Sequence, residues 1–161
     1  MRKFLAVFLI LFALQATARD FPEKPVRLIV PLPPGGATDV VARLIAQKLG
    51  DAWGQPVVLE HRPGGGTVIG AQAVAAAPPD GYTLGIVISA LTINPSLRKD
   101  LPYDTLKDFA PLTQIGNTVM ARLAELGIDV VASSPGEFGA FIRAEIRKWA
   151  PVVRASGATA D

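Results

Sequence analysis

"VRLIVPLPPGGATDVVARL", residues 26–44, is the stretch that decides the fold. Its first five residues form a compact apolar run bounded by Pro25 and Pro31, which reads as a buried strand. Prolines at 31, 33 and 34 and glycines at 35 and 36 end that strand in a loop that contains no lysine. Beyond it, Val40, Val41, Leu44, Ile45 and Leu49 recur on one helical face. Thr38 or Asp39 is placed to cap the start of this helix, and Gly50 to close its end. The same grammar then repeats. Pro56–Glu60 reads as a second strand, and "HRPGGGTVIGAQAVAAA" as a glycine loop opening an alanine-rich helix that stops at Pro78-Pro79. Asp80-Gly81 marks a turn, and Tyr82–Ser89 a third strand. Strand, helix, strand, helix, strand implies an α/β fold of parallel βαβ units with helices covering the sheet.

The rest of the chain is read from both ends of this block. Arg2 and Lys3, the apolar run Phe4–Leu14 and the small residues Ala16-Thr17-Ala18 have the layout of a secretory signal peptide over residues 1–18. Its apolar stretch is well short of the ~20 residues that span a bilayer. Setting 18 of the 161 residues aside leaves 143, enough for a core, and leaves 14 basic against 14 acidic side chains. That balance gives no reason to expect a nucleic-acid partner. Leu101–Met120 reads as a loop, a short helical turn and one more strand. Ser134-Pro135-Gly136-Glu137 is a capping box with proline at the first helical position. It opens a helix with Phe138, Phe141, Ile142, Ile146 and Trp149 as a core-facing stripe, which Gly136, Gly139 and Pro151 should weaken or shorten.

Chemistry is narrowed by what the composition lacks. With no cysteine, disulfides, thiolate metal sites and cysteine nucleophiles are excluded, and one histidine makes a histidine zinc site or a Ser-His-Asp triad improbable. His61 is expected on a solvent-exposed loop, and Tyr82 and Phe109 in the core. Both glycine loops follow a strand and open a helix, so both lie at the sheet edge where free N–H groups and helix dipoles can hold an anion. Neither has the Gly-Lys-Ser/Thr of a phosphate loop, and Gly64, Gly66 and Gly70 are spaced one residue too widely for a dinucleotide fingerprint. A nucleotide cofactor is therefore not expected, and a small carboxylate held by backbone amides fits better. Asp39 reads most simply as an N-cap, and Ser89, at the end of the third strand, could offer its hydroxyl to the same edge.

At this point "FPEKPVRLIVPLPPGGATDVVARLIAQKL", "VVLEHRPGGGTVIGAQAVAAAPPDGYTL" and "LPYDTLKDFAPLTQIG" resemble the Bug family of extracytoplasmic solute receptors, which serve tripartite tricarboxylate transporters. The resemblance implies a periplasmic protein with the type 2, Venus-flytrap fold of periplasmic binding proteins and no enzymatic activity. It implies a small carboxylate ligand, membrane transporter subunits as partners, and no cofactor or metal. Carried over by position, Gly35 and Gly36 match the first ligand loop, Asp39 the helix-start aspartate and Gly65, Gly66 and Thr67 the second loop; Thr38 and Ser89, read from their places at the same edge, complete the candidate ligand-binding set. Leu32 stands where phenylalanine is usual in the family, and His61 where asparagine is common.

From about Ala121 the sequence resembles the extreme C-terminus of the same family. We therefore expect a signal peptide (1–18), a first-lobe α/β ligand-binding segment (19–120) and a C-terminal strand-helix segment (121–161), with an internal deletion near residues 118–122 that removes most of the second lobe. The expected function is solute delivery impaired by that deletion. The alternatives are a small exported interaction module that self-associates through an exposed sheet edge, a nonfunctional remnant, or a hydrolase using the glycine loops as an oxyanion hole.

Overall fold

The computed structural model describes residues 21–115 and 134–158. The signal segment, the expected deletion point and residues 121–133, where the C-terminal strand was expected, lie outside those residues. The elements are β1 (Val26–Val30), α1 (Ala37–Trp53), β2 (Val57–His61), a 3-10 turn (Gly65–Thr67), α2 (Val68–Ala75), β3 (Thr83–Gly85), α3 (Ala90–Leu97) and α4 (Pro135–Ser156). The three strands are parallel and ordered β2-β1-β3. The chain thus steps from β1 to one side and then crosses back to the other. With right-handed crossovers this puts α1 and α2 on opposite faces of the sheet.

Two apolar clusters fill these faces. Leu28 and Val30 pack with Ala42 and Ala46 of α1, and Ala71 of α2 packs with Leu91 and Tyr103. Val26, Ile29 and Val30 of the central strand are fully buried, each stabilising the fold by roughly 2 kcal/mol. Being covered on both faces, β1 reads as a continuous apolar run apart from Arg27. Phe109 lies half-buried against the second cluster. Tyr82 is a half-buried platform for Phe21, its ring 4.9 Å away, and for Lys24.

Several sequence expectations are corrected. The buried side of α1 is Val41, Ala42 and Ala46, while Val40 is 47% exposed. Alanines make the close contact because their small side chains let the helix approach the sheet. Gly50 lies inside α1; the helix closes at Gly54, which takes the left-handed conformation (φ 64°) and donates its N–H to the Gly50 carbonyl. The third strand ends at Gly85, not Ser89. Ile86 still donates to the Ile29 carbonyl, after which the chain turns into α3, a helix not foreseen. Within residues 101–115 the expected turn forms at Asp104, whose carboxylate accepts from the Leu106 and Lys107 amides, and no strand follows it among the described residues.

α4 bears out the capping box: Ser134 Oγ accepts from the Glu137 amide and the Glu137 carboxylate accepts from the Ser134 amide. The helix is not shortened. It runs through Pro151 to Ser156 because Pro151 is exposed, where water can take the carbonyl that loses its intrahelical donor. Ile142 and Val153 are its buried aliphatics, Phe141 is largely exposed, and the helix packs on α3. Ser134→Ala is expected to lower stability by about 1 kcal/mol in urea denaturation. An unchanged midpoint would mean that α4 is held by packing alone.

Candidate functional site

The carboxyl ends of β1, β2 and β3 lie side by side, and each leads into a helix. In an open sheet whose strand order reverses about β1, this edge is where ligands are placed. The first loop ends at Gly36, the N-cap of α1, with extended backbone (φ −86°, ψ 173°) and no side-chain cap. Its carbonyl accepts from the amides of Asp39 and Val40. The amides of Ala37 and Thr38 then have no intrahelical acceptor. The second loop carries four successive positive φ values, Gly64 (122°), Gly65 (57°), Gly66 (61°) and Thr67 (77°), which turn the backbone tightly into α2. Thr67 is the N-cap of α2 and its side chain caps nothing. Ser89 is the N-cap of α3, again without a side-chain cap, and is solvent-exposed. Three helices therefore start at one edge with no side-chain capping hydrogen bond, and only α1 has an acid, Asp39, in its first turn. α4, by contrast, carries a complete box.

Asp39 is not the N-cap expected. It sits in the first turn of α1, only 4% exposed, and its carboxylate folds back to accept from the Gly35 amide (2.9 Å). It also accepts from Arg43 Nε (3.1 Å) and lies 2.8 Å from His61 Nε2. The Gly35 amide is the largest influence holding its carboxyl down at about 2; burial opposes the shift, and Arg43 and His61 assist it. Asp39 stays ionised, yet its charge is spent on neighbours and does not face an incoming anion alone. Gly35 takes φ 91° to bring its amide into this contact, a conformation open to glycine.

His61 is likewise not on an exposed loop. It is the last residue of β2, half-buried, and it joins the end of β2 to the start of α1. A second tie is the Arg62 amide, which donates to the Val30 carbonyl (2.9 Å). A third is Gly70, where α2 passes so close to Pro31 that a Cβ would meet Pro31 Cβ at 2.7 Å. α3 adds a fourth: Asn94 Nδ2 donates to the Gly66 carbonyl (3.1 Å). The glycine loops are thus braced by contacts not foreseen from the sequence. Of these, only the Asp39/Arg43 spacing of one helical turn was visible in advance.

Among the described residues no serine or threonine hydroxyl hydrogen-bonds to His61, and no group of acidic, histidine or cysteine side chains could hold a metal. No helix among them is long and apolar enough to cross a membrane. What the edge offers is backbone donors, helix dipoles and a neutralised acid.

Comparison with known proteins agrees with this fold. Residues 41–125 match the model of the tripartite tricarboxylate transporter family receptor. The chain is 37% identical over 153 residues to a UPF0065 protein of Bordetella pertussis, covering 88% of this chain and 47% of that protein. Among solved structures it is similar to the periplasmic binding protein BugD (39% identity, TM-score 0.56, 58% of this chain and 31% of that one). It is similar also to Rpa4515 of R. palustris with adipate (39%, TM-score 0.58, 60% and 32%). A further likeness is to MatC of Rhodopseudomonas palustris with bound malate (38%, TM-score 0.55, 58% and 32%). The chain spans about half the length of the curated relative and about a third of the solved chains.

Proposed function

Because the chain belongs to the tripartite tricarboxylate transporter family of receptors, we propose that its parallel lobe is one wall of an extracytoplasmic site for a small carboxylate. The observation that carries this reading is the set of helix starts at Gly36, Thr67 and Ser89, all at one sheet edge and all lacking a side-chain cap. Peptide dipoles left open there are suited to a carboxylate. The bound adipate and malate of the two similar structures support that ligand class. In this reading Gly35 shapes the first loop, and Gly36, Thr38, Gly65, Gly66, Thr67 and Ser89 offer backbone or hydroxyl donors. Asp39 braces the site without touching the ligand.

The protein delivers rather than transforms its ligand, and its membrane partners are the transporter subunits. We read residues 19–120 as the ligand-binding segment and residues 121–161 as the end of the same receptor, whose helix α4 docks on α3. A small-ligand site ordinarily buries 70–90% of its occupant, roughly. One lobe leaves the outer side of the ligand to water, so binding is weak: a Kd of about 1 mM corresponds to only about −4 kcal/mol. Amide chemical-shift titration with adipate and with malate tests this. Shifts confined to Gly35–Thr38, Gly65–Thr67 and Ser89, saturating at millimolar ligand, are expected. Micromolar affinity would overturn the impairment, and shifts confined to residues remote from these loops and from the end of α3 packed on them, or none, would overturn the site.

Self-association is the second reading, favoured by one observation. The outer edge of β3 has no strand partner among the described residues. It borders an apolar groove of about 330 Å³ lined by Pro78, Pro79, Leu84, Phe109, Leu112 and Phe138. Such an edge invites strand addition. A sedimentation coefficient that rises with concentration would support this form, and one that stays constant would remove it.

A further inference from the structure

α3 lies against the second glycine loop, and two of its polar side chains face that loop at a spacing of one helical turn. Asn94 is buried and holds the Gly66 carbonyl. Arg98, the C-cap residue, brings its guanidinium to the same place: a Cβ built on Gly66 would stand 3.7 Å from Arg98 Nη2. Behind them sits Tyr103, 7% exposed, its ring edge-on to Phe109. Two buried donors here lack an acceptor among the described residues, Arg98 Nε and Tyr103 Oη. Arg98 forms no ion pair among those residues, whereas Arg27, Arg43 and Arg62 each hold a carboxylate. A half-buried guanidinium with no counter-ion among the described residues, seated beside a turn of left-handed residues, is a positive charge at the binding edge left open to an anion.

The two loops differ in this respect. The first brings the acid Asp39, whose charge Arg43 offsets, so it contributes little net attraction for an anion. Backbone amides favour a carboxylate over a neutral carbonyl but accept both, so they discriminate only in part. A guanidinium discriminates more sharply, because its paired donors match a carboxylate and it carries a full positive charge.

We propose that Arg98 is the specificity-determining residue of the site: its guanidinium pairs with one carboxylate of a small dicarboxylate held at the Gly65–Thr67 turn, and it rejects uncharged analogues. This rests on the reading above that the turn binds a carboxylate. Amide chemical-shift titrations of the full chain with adipate and with its uncharged diamide, adipamide, test it in the parent protein, Arg98→Gln and Arg98→Lys. The parent is expected to prefer adipate, with shifts at Gly65, Gly66 and Thr67. Arg98→Gln should weaken adipate binding by about tenfold or more and erase the preference, while Arg98→Lys, which keeps the charge, retains part of it. Should Arg98→Gln fail to fold, Arg98→Lys carries the test: its residual preference must shrink as salt is raised. Undiminished preference for adipate in a folded Arg98→Gln, or a salt-independent one in Arg98→Lys, overturns the role of Arg98 and leaves the site standing. A parent protein indifferent to adipate at this turn overturns both.

Discussion

Gly70→Ala is expected to destabilise the protein by about 1–3 kcal/mol and to disturb both glycine loops, although it adds a single methyl group. Helix propensity alone predicts the opposite, since alanine in a helix is favoured over glycine by about 1 kcal/mol. The space decides the sign. A Cβ at Gly70 would lie 2.7 Å from Pro31 Cβ, 2.8 Å from Pro31 Cα and 2.9 Å from the Arg62 carbonyl oxygen. Two of these three are backbone atoms, and the third belongs to a rigid ring, so none can rotate away. Pro31 begins the loop after β1, and Arg62 the loop after β2. Relief of the clash must therefore push α2 off the sheet and move both loops at their roots. Gly85→Ala is the comparison: its Cβ would meet only side-chain atoms, Val74 Cγ2 at 2.6 Å and Cγ1 at 3.3 Å, so it should cost some stability but press on no backbone atom. Urea denaturation should place Gly70→Ala well below Gly85→Ala and the parent. A Gly70→Ala protein at or above parental stability would refute the close approach of α2 to Pro31.

This contrast also marks what the sequence could and could not disclose. β1, both glycine loops and the alternation of strand and helix were legible because they depend on local period and on proline and glycine punctuation. The roles of single residues were not, because they depend on contacts distant in sequence. Asp39 has an N-cap's composition, but its carboxylate is held by Gly35 before it and His61 at the end of another strand. Gly50 looked like a helix end, yet only Gly54 adopts the left-handed conformation that closes α1. The third strand was overextended into "IVIS" because β-branched residues suit strands. There the backbone instead enters α3, whose Thr92, Ile93 and Pro95 are poor helix formers and which is held by packing beneath α4. Arg98 follows from geometry alone: in the run "NPSLRKD" nothing sets it apart from Lys99.

Asp39→Asn is expected to make the protein less stable at neutral pH and to flatten its acid limb. The substitution keeps the size of the side chain and one acceptor oxygen but removes the charge that Gly35, Arg43 and His61 share. In the folded chain the carboxyl titrates near 2, below its ordinary value of 3.8. A group whose folded pKa is depressed stabilises the native state above the unfolded value and loses that contribution as pH falls towards the folded one. The stability supplied by Asp39 is therefore complete above about 3.8 and fades towards about 2. Other acids are depressed too, among them Glu60 beside Arg27 and Arg62, and Glu137 in the capping box. The parent's acid limb alone thus cannot be assigned to one residue, whereas the difference between parent and Asp39→Asn isolates Asp39, because the other acids are common to both. That difference should be constant near neutrality and shrink as pH drops through this window. His61→Gln separates the partners further: its amide can still reach Asp39, so it should keep most of the neutral-pH stability and the acid limb. Thermal denaturation followed at a series of pH values reads all three proteins. A parent-minus-variant difference that is absent at neutral pH, or that grows on acidification, would show that Asp39 does not tie the first glycine loop to the end of β2.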